Sequence, residues 1–390
     1  MREAYILSAC RTPIGRFRGG LSSLAVPELG AIAVREAVAR AEIDPAGVDE
    51  VILGNVLTAA VGQAPARQAA LQGGLPPSVA ALTINKVCGS GLKAVMLAAQ
   101  AVRCGDAERI VAGGMESMSR APWALPRDHA AYGPLGLIDT TQHDGLTCAL
   151  SGRAMGDIAE GVAEHDHVSR ADQDAFALES HGRATAAQAS GAFADEIVPV
   201  QVTTGRETRL VDRDEGPRGD TAIEKLQKLP TVFRQGGTVT AGNASMISDG
   251  AAAVVVTSRE AAEQAETKPL ARIVASATAG LAPEDLFLAP VEAIRRVLAK
   301  AGKTTADVRL FEINEAFASQ MLACVRRLDL PLERVNIHGG AIALGHPIGA
   351  SGARVLVTLI HALRRQGGGL GVASLCLGGG NAVAMLIEVD

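Results

Sequence analysis

Four side chains that could perform nucleophilic or acid–base chemistry lie in or beside glycine-rich turns of this 390-residue sequence. Cys88 lies in VCGSGLKA and Cys376 in CLGGG, whereas His346 lies in GGAIALGHP and Asn314 in NEAF. Two thiols, an imidazole and an amide form a set suited to acyl transfer through a thioester. The sequence therefore predicts an acyl-transfer site assembled from distant turns.

Cys88 stands just before a predicted helix, where the positive end of the helix dipole stabilises a thiolate. Such cysteines can have their pKa lowered to roughly 3.5–7.5. The neighbouring glycines would let a substrate carbonyl approach backbone N–H groups, which could form an oxyanion hole. The alternative interpretation is that Cys88 is a small buried hydrophobic residue.

The other three side chains could assist such a thiol. His346, fixed between Gly345 and Pro347, could take its proton. Cys376 ends an apolar strand and opens a glycine turn, which predicts exposure at the carboxyl edge of a parallel sheet. Asn314 also ends a strand and could hold a water or an oxyanion, although a turn former or helix cap is the alternative.

The segments that must position these residues alternate between strand and helix patterns, which favours an α/β fold with a parallel sheet covered by helices. The clearest predicted strands are Val48–Leu53 and Arg109–Ala112, and the clearest predicted helices are Leu29–Ala41, Gly91–Arg103 and Ser169–Ala189.

The same order of elements occurs twice: a strand ending on asparagine, a glycine-rich turn, a helix, a strand and a glycine run. Residues 1–120 and 270–390 are therefore predicted to be two copies of one unit, although any two αβ units look partly alike. Residues 121–240 differ from both units in composition and patterning and are predicted to be an inserted, substrate-binding domain. Residues 241–268 resume core character and are assigned to the N-terminal half.

Composition excludes several classes of function. Apolar residues make up 48% of the chain and aromatic residues 3%, enough for a large core but poor for base stacking. A net charge of -5 argues against nucleic-acid binding. No apolar run approaches the roughly 20 residues of a membrane span. The six cysteines lack zinc-site spacing, and the N-terminus lacks a signal-peptide pattern, so a reducing cytoplasm is expected.

These motifs, in this order and spacing, resemble the thiolase family. The sequences RTPIG, GGMESMS and GTVTAGNAS are similar to family motifs as well, so the resemblance extends over essentially the whole chain. It implies a five-layer αβαβα body of two similar halves with an inserted loop domain. It also implies reversible acyl exchange between acyl-CoA and 3-ketoacyl-CoA.

The resemblance implies a role for each catalytic residue. Cys88 would carry the acyl group as a thioester, with His346 as its base. Cys376 would move the proton on the α-carbon of acetyl-CoA. Asn314, through a water, and His346 would stabilise the enolate, and the N–H groups of Cys88 and Gly378 would hold the other oxyanion.

It also implies a set of CoA-binding positions: Leu146, Met155, Arg218, Phe233, Ala241, Ser245 and Phe317. The alternative for Arg218 is a solvated loop charge. Acyl-CoA, acetyl-CoA and CoA would be the partners, with CoA a substrate and no metal or redox cofactor needed. A homodimer or a homotetramer is expected.

The chain departs from the family pattern at five positions. Ala154 replaces a histidine of the short-chain members, Met246 and Ile247 replace a glycine-containing run, and Gly161 and Asn381 replace other common residues. Short-chain substrates such as acetoacetyl-CoA are favoured, but Ala154 leaves the preferred chain length open.

Three other functions compete with this interpretation. A ketoacyl-synthase-type enzyme would share the nucleophile but typically uses two histidines, so Cys376 argues against it. A catalytically silent lipid carrier or scaffold would not need all four reactive side chains. A dinucleotide-binding protein would need a glycine fingerprint after the first strand, which the sequence lacks.

Overall fold

The computed structural model describes residues 2–127, 136–264 and 267–390. The strands are β1 Ala4–Arg11, β2 Gly15–Arg16, β3 Glu50–Gly54, β4 Ala80–Ile84, β5 Arg109–Ser117, β6 Trp123–Ala124, β7 Ile138–Asp139, β8 Val200–Thr204, β9 Glu207–Val211, β10 Ser248–Ser258, β11 Ala271–Gly280, β12 Leu310–Ile313, β13 Gly369–Leu377 and β14 Asn381–Val389. The helices are α1 Val26–Arg40, α2 Pro65–Gln72, α3 Ser90–Cys104, α4 Met155–His165, α5 Arg170–Ala189, α6 Ile223–Gln227, α7 Arg259–Glu263, α8 Ala289–Ala301, α9 Ala318–Leu328, α10 Ala341–Leu344 and α11 Ser351–Arg365. Within these ranges, no helix is long and apolar enough to cross a membrane.

The central sheet is mixed, so the prediction of a parallel sheet is wrong for most of it. Its strands follow the order β12-β13-β14-β11-β1-β10-β5-β3-β4, with β2 paired to β10. Only the pairs β3–β4, β3–β5 and β12–β13 are parallel. A turn as short as the one between β13 and β14 permits only antiparallel pairing, because parallel strands need a long crossover.

The five-layer αβαβα architecture is confirmed. Helices α3 and α11 pack on each other and contact strands from both ends of the sheet, so they form the middle layer. Helices α1 and α2 cover the outer face of the N-terminal strands, and α8 covers the outer face of the C-terminal strands. The repeated order β3-α3-β5 and β12-α11-β13 follows the repeat seen in the sequence. A short pairing of β1 with β11, in the middle of the strand order, joins the N-terminal and C-terminal strands into one open sheet.

Two glycines let the middle helices touch at their first turns. A Cβ added to Gly91 would lie 2.7 Å from the backbone nitrogen of Ala353, and one added to Gly352 would lie 2.3 Å from that of Leu92. Each glycine thus occupies the equivalent place in its own helix and accommodates the backbone of the other. The contact brings together the turns that precede α3 and α11, which carry the candidate thiol and imidazole.

A buried ionic network ties the region between β5 and β10 to the sheet. Arg11 on β1 donates to Glu196 over 2.6 Å and to both carboxylate oxygens of Asp214 over 2.7 and 2.9 Å. Thr358 on α11 also donates to Glu196, over 3.2 Å. Since Arg11 is fully buried, its charge depends on these two acids for compensation.

We therefore expect Arg11→Met to destabilise the protein by about 3–5 kcal/mol, because it leaves two carboxylates buried without their cation. The measurement is thermal unfolding compared with Arg206→Met, which removes an exposed arginine from the same region. Equal melting temperatures for the two variants would contradict a structural role for the network.

Candidate active site

The candidate catalytic side chains lie around one cavity of about 490 Å³. Cys88, His346, Cys376 and Gly378 line it, and the side-chain nitrogen of Asn314 lies 3.4 Å from His346 Nε2. Residues of the 136–248 region form much of the remaining wall. The structure thus brings together side chains that are almost 290 positions apart in the sequence.

The turn that carries Cys88 is tightly specified. Val87 has a positive φ of 48°, which a β-branched residue adopts only under strain. The Ser90 hydroxyl accepts from the backbone of Lys86 and donates to the carbonyl of Val87. A Cβ on Gly89 would lie 2.6 Å from the side chain of Leu377, so the turn packs against the end of β13. This packing sets the sulfur beside the strand that contains Cys376.

The prediction that the pKa of Cys88 is lowered is wrong. Burial raises its pKa to about 12, because the start of α3 is enclosed and the thiolate would lose its hydration. The backbone N–H groups of Cys88 and Gly378 donate toward the sulfur and oppose this rise, whereas the nearby carboxyl of Glu116 adds to it. Cys88 is therefore a neutral thiol at pH 7 and needs a base to become a nucleophile.

Hydrogen bonds fix the orientation and the tautomer of His346. The Ser351 hydroxyl donates to the carbonyl of Pro347 over 2.9 Å, so it accepts from His346 Nδ1–H over 2.6 Å. His346 Nε2 is then the acceptor and faces the side-chain nitrogen of Asn314 at 3.4 Å. Burial, and then the positive charge of Arg354, lower the pKa of His346 to about 3. The imidazole is therefore neutral, and the lone pair on Nε2, which faces the Asn314 amide, can accept a proton.

Asn314 and Cys376 lie at the ends of neighbouring parallel strands. Asn314 directly follows β12, and its backbone nitrogen donates to the carbonyl of Ser374 over 3.0 Å. It does not cap a helix, because α9 begins later and is preceded by Phe317. Cys376 is 2% exposed, so the prediction that it is exposed at the edge of the sheet is wrong. Burial together with the proximity of Cys88 raises its pKa well above the usual value. The two thiols thus lie close together, and both are protonated at rest.

Glu116 holds the turns around the site in place, although the sequence analysis did not identify it as a candidate. Its buried carboxylate accepts from the side chain of Asn55 and the backbone of Val56 and Leu57, all after β3, and from Gly349 after His346. Burial raises its pKa to about 7 against the effect of these donors. Glu116 thus links the two halves beside the catalytic turns. The sequence did contain a signal for Glu116, because it is an acidic residue within an apolar strand pattern.

All seven residues expected to bind CoA line the same cavity. Phe317 packs edge-to-face on Phe233, with ring centres 6.3 Å apart, and on Phe287, with ring centres 5.3 Å apart. Arg218 is exposed at the outer end, and its backbone nitrogen donates to His181 over 3.2 Å. The wall is therefore mainly apolar inside and charged at its outer end.

Three of the five departures from the family pattern also line the cavity, namely Ala154, Met246 and Ile247. Met246 further accepts the backbone N–H of His346 through its carbonyl over 3.0 Å. Gly161 and Asn381 are not among the lining residues. The sequence differences that could alter substrate preference are therefore concentrated in the first three.

Gly156 offers a direct test of the cavity wall. A Cβ there would lie 2.1 Å from the ring of Phe233, so alanine must displace the ring. We expect Gly156→Ala to raise KM for a CoA thioester about tenfold through lost wall contacts. Gly161→Ala on the same helix is the control, since its Cβ would come no closer than 3.9 Å to a neighbour. Equal KM values for the two variants would contradict the assignment of Phe233 to the wall.

Among the residues that the structure describes, no three His, Cys, Asp or Glu side chains are grouped in a way that could hold a metal ion. The groups that converge here are a pair of thiols, a neutral imidazole, an amide and two backbone N–H donors. Together they can form and break a thioester.

Comparisons with known proteins agree with this arrangement. The thiolase N-terminal domain model matches residues 4–260 and the thiolase C-terminal domain model matches residues 267–389. The chain is 50% identical to acetyl-CoA acetyltransferases of Escherichia coli and Pseudomonas aeruginosa; each alignment covers 100% of this chain and 99% or 100% of the relative. It superposes on the crystal structure of the Bacillus anthracis acetyl-CoA acetyltransferase with a TM-score of 0.98, at 43% identity, covering 100% of this chain and 99% of that one. The chain is therefore a member of the thiolase family.

Proposed function

We propose that this thiolase transfers an acetyl group between CoA thioesters through a covalent intermediate on Cys88, and that acetoacetyl-CoA is its preferred 3-ketoacyl substrate. The observation that carries the proposal is the convergence of Cys88, His346, Cys376 and Asn314 around one cavity. The four intact side chains also argue against a silent carrier.

In the cleavage direction, His346 Nε2 takes the thiol proton of Cys88 and the sulfur attacks the ketone carbon of the substrate. The two charges formed attract each other, which offsets part of the cost of creating them in a buried site. The tetrahedral oxyanion is held by the N–H groups of Cys88 and Gly378, which converge on the sulfur.

The carbon–carbon bond then breaks, leaving the acyl group on Cys88 and the enolate of acetyl-CoA. Protonated His346 donates to the enolate oxygen from Nε2. Asn314 supports the same oxygen through a water, for which its Oδ1 is suited because this buried atom has no partner among the described residues. The thiol of Cys376 protonates the α-carbon, and acetyl-CoA leaves.

Free CoA completes the reaction. Its thiol gives its proton to the Cys376 thiolate and attacks the carbonyl carbon of the Cys88 thioester. The carbon–sulfur bond to Cys88 breaks to release acyl-CoA, and the Cys88 thiolate takes back the proton from His346. Condensation is the reverse of these steps. Because one product leaves before the second substrate reacts, the kinetics are of the ping-pong type.

The proposed preference for short substrates is supported by the names of the relatives and by the bulky Met155 and Met246 in the cavity wall. The test is CoA-dependent cleavage of 3-ketoacyl-CoAs of increasing chain length. We expect kcat/KM to be highest for acetoacetyl-CoA. A value that stays flat or rises with length would contradict the preference, and no cleavage at any length would contradict the enzyme assignment.

We also propose the division into residues 1–120 with 241–268, residues 121–240 and residues 270–390, which the repeated β-α-β order supports.

A homodimer, or a homotetramer of two such pairs, is proposed on family membership. Strand β4 supports this oligomer because it lies at the open edge of the sheet, where Leu82 is 43% exposed and offers apolar surface to a second copy of the chain. The absence of disulfides among the described cysteines agrees with the proposed cytoplasmic location. Light scattering tests the oligomeric state.

A further inference from the structure

The outer end of the cavity carries a second arginine that the family motifs do not indicate. Arg16 and Phe17 line the cavity together with Arg218, and all three are exposed to solvent. In contrast, His346 and Cys376 are buried and Cys88 is half-buried. A thioester whose reacting carbon is at Cys88 would therefore extend its other end toward the arginines.

Arg16 is held in place by its backbone while its side chain is free. It pairs with Ser248 of β10, and its N–H donates to Glu215 over 2.9 Å. The next residue, Phe17, donates to the carbonyl of Ile247 over 3.1 Å. Neither the Arg16 nor the Arg218 guanidinium forms an ion pair or hydrogen bond with any residue in the described ranges.

The two arginines lie near the same histidine. Burial, and then the charges of Arg218 and Arg16, lower the pKa of His181 to about 4, so this imidazole stays neutral at pH 7. The charge of Asp220 raises the pKa of His181, but the Asp220 carboxylate pairs with Lys225 over 2.7 Å. Two guanidinium groups near a neutral imidazole, neither of them in an ion pair with a described residue, form a site suited to phosphate oxygens even with the Glu215 carboxylate on the Arg16 backbone.

We propose that Arg16 is a substrate-binding residue that, together with Arg218, binds the phosphate groups at the nucleotide end of CoA. This inference rests on the proposed function. The binding energy is the same for the bound substrate and the transition state, because the contact is far from the reacting carbon. Loss of Arg16 should therefore raise KM and leave kcat unchanged.

The test compares Arg16→Gln with Arg18→Gln, which removes a neighbouring exposed arginine that does not line the cavity. Each variant is assayed with acetoacetyl-CoA and with acetoacetyl-pantetheine, which carries the same thioester without the nucleotide. We expect Arg16→Gln to raise KM for acetoacetyl-CoA about tenfold with kcat unchanged. Its KM for the pantetheine thioester should stay the same, and Arg18→Gln should behave like the unmodified protein with both.

Two results would overturn the proposed role of Arg16 and leave the proposed function intact. One is an equal KM for the two variants with acetoacetyl-CoA, and the other is an equal rise in KM of Arg16→Gln for both thioesters. Failure of the unmodified protein to cleave either thioester would instead overturn the proposed function, and this inference with it.

Discussion

Replacing Cys88 by alanine should lower acyl transfer by about 10⁴-fold or more, because the second thiol in the cavity, Cys376, is needed to move the α-proton and cannot also carry the acyl group. Fold and cavity should survive, since the change removes one sulfur atom from a residue at the cavity surface. The measurement is the rate of CoA-dependent acetoacetyl-CoA cleavage, with melting temperature as the check on folding.

Cys104→Ala is the matched control, because Cys104 is an exposed free cysteine at the other end of α3. It should retain full activity. If the Cys88 variant kept a substantial part of the rate while remaining folded, the covalent route through this thiol would be wrong.

Replacing Cys376 by serine should separate the two halves of the reaction. Acylation of Cys88 by acetyl-CoA does not require a second thiol, whereas carbon–carbon bond formation requires removal of an α-proton. A serine hydroxyl is a much poorer proton donor and acceptor, so condensation and cleavage should fall by about 10²–10⁴-fold. Exchange of the acetyl group between acetyl-CoA and isotopically labelled CoA should continue.

The control for this experiment is Cys324→Ser, because Cys324 is a buried thiol near Cys376 that does not line the cavity. It should leave both reactions close to normal. Equal loss of exchange and condensation in Cys376→Ser would contradict the division of roles between the two thiols.

Local features of the sequence were sufficient to predict the helices that follow the candidate catalytic turns. The prediction of a helix at Gly91–Arg103 matches Ser90–Cys104 closely, because a glycine-rich start and regular apolar spacing are encoded within the segment itself. The helix predicted at Ser169–Ala189 is also confirmed, with the Ser169 hydroxyl accepting from the N–H of Asp172. Glycine turns are likewise local, which explains why Cys88 and His346 could be proposed as candidates without the fold.

Features that depend on distant contacts could not be predicted in this way. The rise in the pKa of Cys88 comes from burial, which a short sequence window does not contain. The antiparallel pairing of β10 with β1 and β5 joins segments more than a hundred residues apart. The hydrogen bond from Gly349 to the Glu116 carboxylate likewise joins residues 233 positions apart.

The most direct test of the central claim is to mix the protein with acetyl-CoA, quench it with acid and locate the modified residue by peptide mass spectrometry. The account predicts one acetyl group on Cys88, removed when free CoA is added before the quench. An unmodified Cys88 in protein that is transferring acetyl groups, or an acetyl group on a different residue that CoA removes at the catalytic rate, would contradict it.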